Sequence, residues 1–190
     1  MTPSSKQISN NMLEQWIFPI FGEYSGQCFI IDSYLITAAH VIAKNKEPYT
    51  VLWNNQRMSL CKKDAILYEL TEINENYRDY AVFALPQQTE SPLHLMTLKD
   101  FAIELSCYFK VEENFRLELR SSNAIMDKVY SDSFFTCTMH SMIFSGRSGC
   151  PLIDIDNNVV GMLVAGDDKS ICAFQSAAYI KKILEQCLAN

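Results

Sequence analysis

The stretch FSGRSGCPLIDIDNNVVGMLVAG runs from Phe144 to Gly166. Its bend, Ser145 to Gly149, holds two glycines and two serines around a single arginine, and then gives way to an apolar run. Gly146 and Gly149 permit a backbone turn that residues carrying a Cβ resist. Such a turn presents Ser148 and can aim the N–H groups of Gly146 and Ser148 the same way. An ordinary glycine-rich turn gives the same string, so the rest of the chain must decide between them.

Outward from this bend the pattern is one of short β-type runs separated by polar turns. The first half reads as strands at WIFPIF, GQCFII, YLITAA, YTVLW, MSLCKKDAILYEL and DYAVFAL. IIDSYLIT is expected to be a hairpin turning at Asp32-Ser33. LPQQTESPLH, Leu85 to His94, carries two prolines and a polar centre and reads as a connection between halves. The second half offers SCYFKV, FRLELRS, SFFTCTM, CPLIDI, VVGMLVAG and ICAFQ, with a tight turn at Asp156, Asn157 and Asn158. In the tail, Ala177, Ile180, Ile183, Leu184, Cys187 and Leu188 fall at helical spacing, and Ser176 is placed to cap the start. The expectation is an all-β chain of two strand sets closed by one helix. Two packed antiparallel barrels satisfy it, because closure hides strand edges. A single β-sandwich satisfies the pattern as well.

Composition narrows the function classes. The chain has 190 residues, 48% apolar and 20% charged, which suits a globular domain with a sizeable core. The net charge is −6 and no basic block occurs, so nucleic acid is not an expected partner. No apolar run reaches membrane-spanning length, and MTPSSKQISNN lacks the apolar centre of a signal peptide. The seven cysteines are odd in number, form no C-x-x-C pair and sit mostly in apolar runs. Reduced, buried thiols in a cytoplasmic protein are expected. Histidines and cysteines are not grouped at zinc-ligand spacing, so no metal or other cofactor is expected.

Acyl transfer by serine needs a hydroxyl, a base to take its proton, a carboxylate to hold the base, and two N–H groups for the oxyanion. Among three histidines, His40 ends the apolar strand YLITAAH, where two alanines leave space beside the ring. Asp79 opens DYAVFAL, and a carboxylate at the mouth of an apolar strand is buried only when something pairs with it. Asp64 is the competitor, but it follows two lysines and reads as a solvated edge.

With these three residues in the order His, Asp, Ser, the chain resembles the chymotrypsin/trypsin-like serine proteases. GQCFIIDSYLITAAHV (Gly26 to Val41) is similar to the family's histidine block, DYAVFAL to its aspartate block, and GRSGCPLIDIDNNVVGMLVAG to its nucleophile block. The resemblance spans roughly residues 21–188 and is thinnest between Leu98 and Phe134. It implies two packed six-stranded antiparallel barrels and a C-terminal helix, one protease domain over 1–190. The expected parts are a first barrel at about 12–86, a second at 93–175 and the helix at 176–188. It implies His40 as general base, Asp79 as the residue orienting it, Ser148 as nucleophile, and the N–H groups of Gly146 and Ser148 as the oxyanion hole. Val164, Ala165 and Gly166 match the strand that pairs with an extended polypeptide substrate.

The departures shape the rest of the reading. Arg147 stands where secreted digestive relatives carry an aspartate that pairs with a new N-terminus, so heat-shock-type proteases of bacteria and organelles are the nearer likeness. Cys150 stands where the family has glycine. In viral cysteine proteases of this fold the thiol occupies the position of Ser148, so Cys150 is not the expected nucleophile. Counting back from Ser148 puts Met142 at the base of the specificity pocket, with Ile143, Phe144, Val164 and Ala173 near it. None is acidic, so an apolar rather than a basic side chain is the expected substrate feature. A catalytically silent or partner-activated peptide-binding module, with further domains in a longer chain, is the alternative.

Overall fold

The computed structural model describes residues 12–22, 24–43, 48–53, 55–73, 76–98, 104–141, 145–167 and 169–190. The first sheet contains β1 (Ile17–Phe21), β2 (Gly26–Ile31), β3 (Tyr34–Thr37), β4 (Tyr49–Trp53), β5 (Gln56–Leu60), β6 (Leu67–Ile73) and β7 (Asn76–Ala84). Its order is β5-β4-β1-β2-β3-β7-β6, a curled sheet with no closing strand pair among the described residues. The second contains β8 (His94–Leu95), β9 (Leu105–Glu113), β10 (Arg116–Val129), β11 (Phe134–Met139), β12 (Pro151–Asp154), β13 (Asn158–Gly166) and β14 (Ile171–Ser176). Here β12 pairs with both β9 and β13, so six antiparallel strands close into a barrel, and β8 adds in parallel at the start of β13.

Local sequence explains most boundaries. Asp32-Ser33 is the two-residue turn of a hairpin that pairs Ile31 with Tyr34, and Asp32 takes a φ of 49°, which aspartate tolerates. At the later turn, the Asp154 carboxylate accepts from the N–H groups of Asp156 and Asn158, each at 2.9 Å. MSLCKKDAILYEL is not one strand. Lys62–Asp64 form a 3₁₀ turn between β5 and β6, with all three side chains in water. FRLELRS is only the start of β10, which runs 14 residues. Its polar centre stays in the strand because Asn123 Oδ1 accepts from Ser106 Oγ at 2.9 Å and Ser122 bonds Ser141 at 2.7 Å. A bulge between Met126 and Lys128 then bends β10 along β11.

α1 (Ala39–Ile42) is a single turn after β3, and α2 (Ala177–Leu188) follows β14 directly. Ser176 precedes α2 with extended backbone, but its side chain makes no capping bond; its N–H donates to Ser133 O at 2.7 Å instead. Along α2, Ala177, Tyr179, Ile180 and Leu184 are buried, whereas Cys187 and Leu188 are exposed. Two apolar clusters result. One fills the first lobe and continues under α2; the other, inside the second barrel, includes Phe135, Phe174 and the thiols of Cys107, Cys137, Cys150 and Cys172. All seven cysteines are free. No described helix is long and apolar enough to cross a membrane.

Candidate active site

β3 ends at Thr37, two small residues follow, and α1 begins, so His40 emerges at the rim of the first lobe with its side chain 38% exposed. β7 runs antiparallel to β3, with Ala81 opposite Thr37, which brings Asp79 under the histidine. Asp79 is fully buried. Its Oδ2 lies 2.5 Å from His40 Nδ1, and its Oδ1 accepts the His40 backbone N–H at 2.9 Å. Tyr77 donates its hydroxyl to Oδ2 at 3.2 Å. Burial, and then the Asp79 charge, hold the Tyr77 phenol well above its usual range, so Tyr77 acts as a neutral donor. With both oxygens accepting, the Asp79 side chain holds the imidazole by Nδ1 and fixes that ring nitrogen as its N–H.

Behind Asp79 stands Gln175, itself fully buried on β14. Its Oε1 accepts the Asp79 backbone N–H at 2.8 Å, while its amide donates to Ser133 O at 2.7 Å. One side chain of the second lobe thus holds the carboxylate strand of the first.

The serine bend is seated from the opposite direction. Gly146 and Gly149 adopt φ of 86° and 92°, a region where a Cβ is strained. The Gln27 N–H of β2 donates to Ser148 O at 2.8 Å, and the Gly149 N–H donates to Leu163 O at 2.8 Å. Gly149 sits so close to β2 that a Cβ there would meet Gln27 O at 2.0 Å and Thr37 Oγ1 at 2.7 Å. At Gly26 a Cβ would meet Val41 Cγ1 at 2.5 Å and Ser148 O at 3.2 Å. The residue after His40 and the backbone of Ser148 therefore converge on one glycine. The Ser148 hydroxyl makes no hydrogen bond to the His40 ring. Neither the Gly146 nor the Ser148 N–H donates to a described residue, while those of Gly149 and Cys150 do.

The Gln27 side chain reaches into the second lobe, donating to Lys110 O at 3.0 Å and accepting from Lys110 N at 2.9 Å. It also approaches Gly146 O at 3.5 Å. The Arg147 guanidinium lies over the Phe109 ring, 4.7 Å from its centroid, so it braces the bend against β9. Cys150 points the other way, fully buried in the second barrel against Cys107. Burial pushes the neighbouring thiols up, Cys137 to about 12 and Cys172 to about 11, so these are packing groups.

Along β13, Val164 is buried at a bulge, and Ala165 and Gly166 are exposed. β12 pairs only as far as Met162, so the rim from Val164 to Gly166 on that side has no strand partner among the described residues. Ala173 is half-buried opposite Ala165. Met142, Ile143 and Phe144, expected near the specificity pocket, lie outside the described residues. Among the described residues no group of His, Cys, Asp and Glu could hold a metal. The sequence does not single out Gln27, Gln175, Tyr77 or Gly26: the two glutamines and Gly26 border apolar runs, whereas Tyr77 stands among polar residues, and they share no signal.

No protein-family model matches the chain, and no curated protein matches it in sequence. Solved structures do. The active form of the Rv3671c protease from M. tuberculosis is 18% identical with a TM-score of 0.66, over 97% of this chain and 87% of that one. The serine endoprotease from Yersinia pestis is 14% identical with a TM-score of 0.72, over 100% and 69%. Catalytically inactive tobacco etch virus protease complexed with substrate is 14% identical with a TM-score of 0.67, over 87% and 79%. These likenesses show that the chain has the chymotrypsin-like protease fold.

Proposed function

We propose that the chain is a serine endopeptidase in which Ser148, His40 and Asp79 act as a triad. The observation that carries this reading is the buried Asp79 carboxylate on His40 Nδ1 at 2.5 Å, beside a serine bend tied to the same β2–β3 corner. The His40–Asp79 bond leaves Nε2 unprotonated in the neutral ring, which is the form a general base needs. Ser148 Oγ attacks the substrate carbonyl carbon as its proton passes to His40 Nε2. The tetrahedral oxyanion is met by the N–H groups of Gly146 and Ser148. The scissile C–N bond then breaks, the leaving nitrogen takes the proton from His40, and the acyl-enzyme remains. Water repeats the sequence and frees Ser148. The substrate is an extended polypeptide lying along Val164, Ala165 and Gly166. Its primary side chain is apolar and sits near Met142, Val164 and Ala173. The two lobes, about 12–86 and 93–175, meet at this groove.

The absence of a Ser148–His40 hydrogen bond favours a second reading, in which a partner or a further domain completes the site. A fluorophosphonate probe tests both. Peptidase function predicts labelling at Ser148 that disappears in Ser148→Ala, with a loss of kcat on the order of 10⁶-fold. Equal labelling of both proteins would reject the triad. Labelling that appears only on adding a cellular partner would select the second reading.

A further inference from the structure

Gln27 has two attachments. Its backbone holds Ser148, and its side chain clasps the backbone of Lys110 on both sides. Lys110 lines a half-open cavity of about 520 Å³ between the start of β1, the end of β4 and the connection at 87–90. That volume is in the range of small-molecule sites. Trp16, Phe18 and Trp53 line it, and these are the only two tryptophans of the chain.

Lys110 is 8% exposed, and its ammonium stands over the Phe18 ring, 4.8 Å from the centroid. No described carboxylate lies within ion-pair distance of it. Burial pulls its pKa down and the more distant Glu14 only partly restores it. A sheltered ammonium without a counter-charge is costly and is relieved by an anion that brings its own apolar body. The Phe18 ring under the cation and the two indoles lining the cavity select a ring for that body. Glu14 and Glu90, both exposed at the margin, disfavour a second negative charge on the ligand.

We propose that this cavity binds a small aryl monocarboxylate, its carboxylate on Lys110 and its ring against Trp16 and Trp53, and that occupancy stiffens the serine bend through Gln27. The consequence of that stiffening rests on the peptidase reading; the binding does not.

Because both tryptophans line the cavity, intrinsic fluorescence of the full chain reads it directly. Benzoate is expected to give a saturable change, with the neutral isostere benzamide about tenfold weaker or more, the loss of one charge-assisted bond. Lys110→Met should bring benzoate down to the benzamide level, Lys110→Arg should keep the preference, and Glu14→Gln should strengthen it. Equal binding of benzoate and benzamide, or no saturation by benzoate, overturns the site. Coupling is read by amide hydrogen exchange at Gln27 and Gly149, slower by up to roughly tenfold at ten times Kd. Unchanged exchange at saturation overturns the coupling. None of these measurements requires Ser148 to react, so their failure is separable from failure of the peptidase reading.

Discussion

Two buried glutamines cross between the lobes in opposite directions, and they support different halves of the site. Gln175 reaches from β14 to the Asp79 N–H; Gln27 reaches from β2 to the Lys110 backbone. On the Asp79 side the orienting bonds run through side chains: both carboxylate oxygens are taken, by His40 twice and by Tyr77. On the Ser148 side they run through the backbone, with carbonyls and two left-handed glycines setting the bend. Side-chain changes should therefore act on the first half as chemistry. Changes that add a Cβ should act on the second as folding.

The widest separation is expected from Asp79→Asn. An amide in place of Oδ2 donates toward Nδ1 and stabilises the wrong tautomer, so kcat/KM should fall on the order of 10⁴-fold with the fold intact. Stopped-flow hydrolysis beside a circular dichroism melt checks it; a loss within tenfold would mean Asp79 does not orient the ring. Gly149→Ala should do the reverse. Its Cβ would meet Gln27 O at 2.0 Å, and φ is 92°, so stability should drop by about 3 kcal/mol or more. Urea unfolding measures this, and an unchanged midpoint would show that the bend is free of β2.

Smaller but more informative is the pair Gln175→Leu and Gln27→Leu. Gln27→Leu strands the Lys110 N–H and carbonyl, whereas Gln175→Leu strands the Asp79 N–H and leaves Ser133 O bonded to Ser176, so each should cost about 2 kcal/mol. Only Gln175→Leu should displace the pH profile of hydrolysis, because only it loosens Asp79. Identical profiles would erase the distinction between the two halves.

The smallest effect has the opposite sign. Lys110→Met should stabilise the ligand-free chain by roughly 1 kcal/mol, because it removes a sheltered charge. The folded-state pKa of Lys110 is lowered, chiefly by burial. The folded protein therefore sheds this proton before the unfolded one, and the lysine's deficit against methionine is full below the lowered pKa. It shrinks as pH rises toward the ordinary value of 10.5. Thermal melts of both proteins across that interval should converge, and parallel curves would show the ammonium to be solvated.

His40, Asp79 and Ser148 were legible as candidates because each sits in a short string whose neighbours are themselves constrained: alanines before the histidine, an apolar strand after the aspartate, glycines around the serine. Twelve strand runs were legible from turns and alternation, against fourteen strands: MSLCKKDAILYEL hides the Lys62–Asp64 turn, and β8 is only two residues long. The two glutamines were not. In GQCFII and ICAFQ a lone polar residue looks the same whether it faces water or a buried backbone. Only the pairing of Gln27 with β9, distant in sequence, decides that. β10 was cut short for a related reason, since bonds from Ser106 and Ser141 neutralise its polar centre. The closing strand pairs of the second barrel likewise depend on register between segments far apart in the chain.

The bare rim at Val164–Gly166 has a consequence beyond the proposed peptide binding. An edge that receives any extended backbone does not distinguish a substrate from the same segment of a neighbouring copy. Its brevity is the safeguard: it is three residues long, kinked at its first, and offers too few rungs to template a growing stack. A longer, straighter edge would grip peptides harder and would also seed fibres.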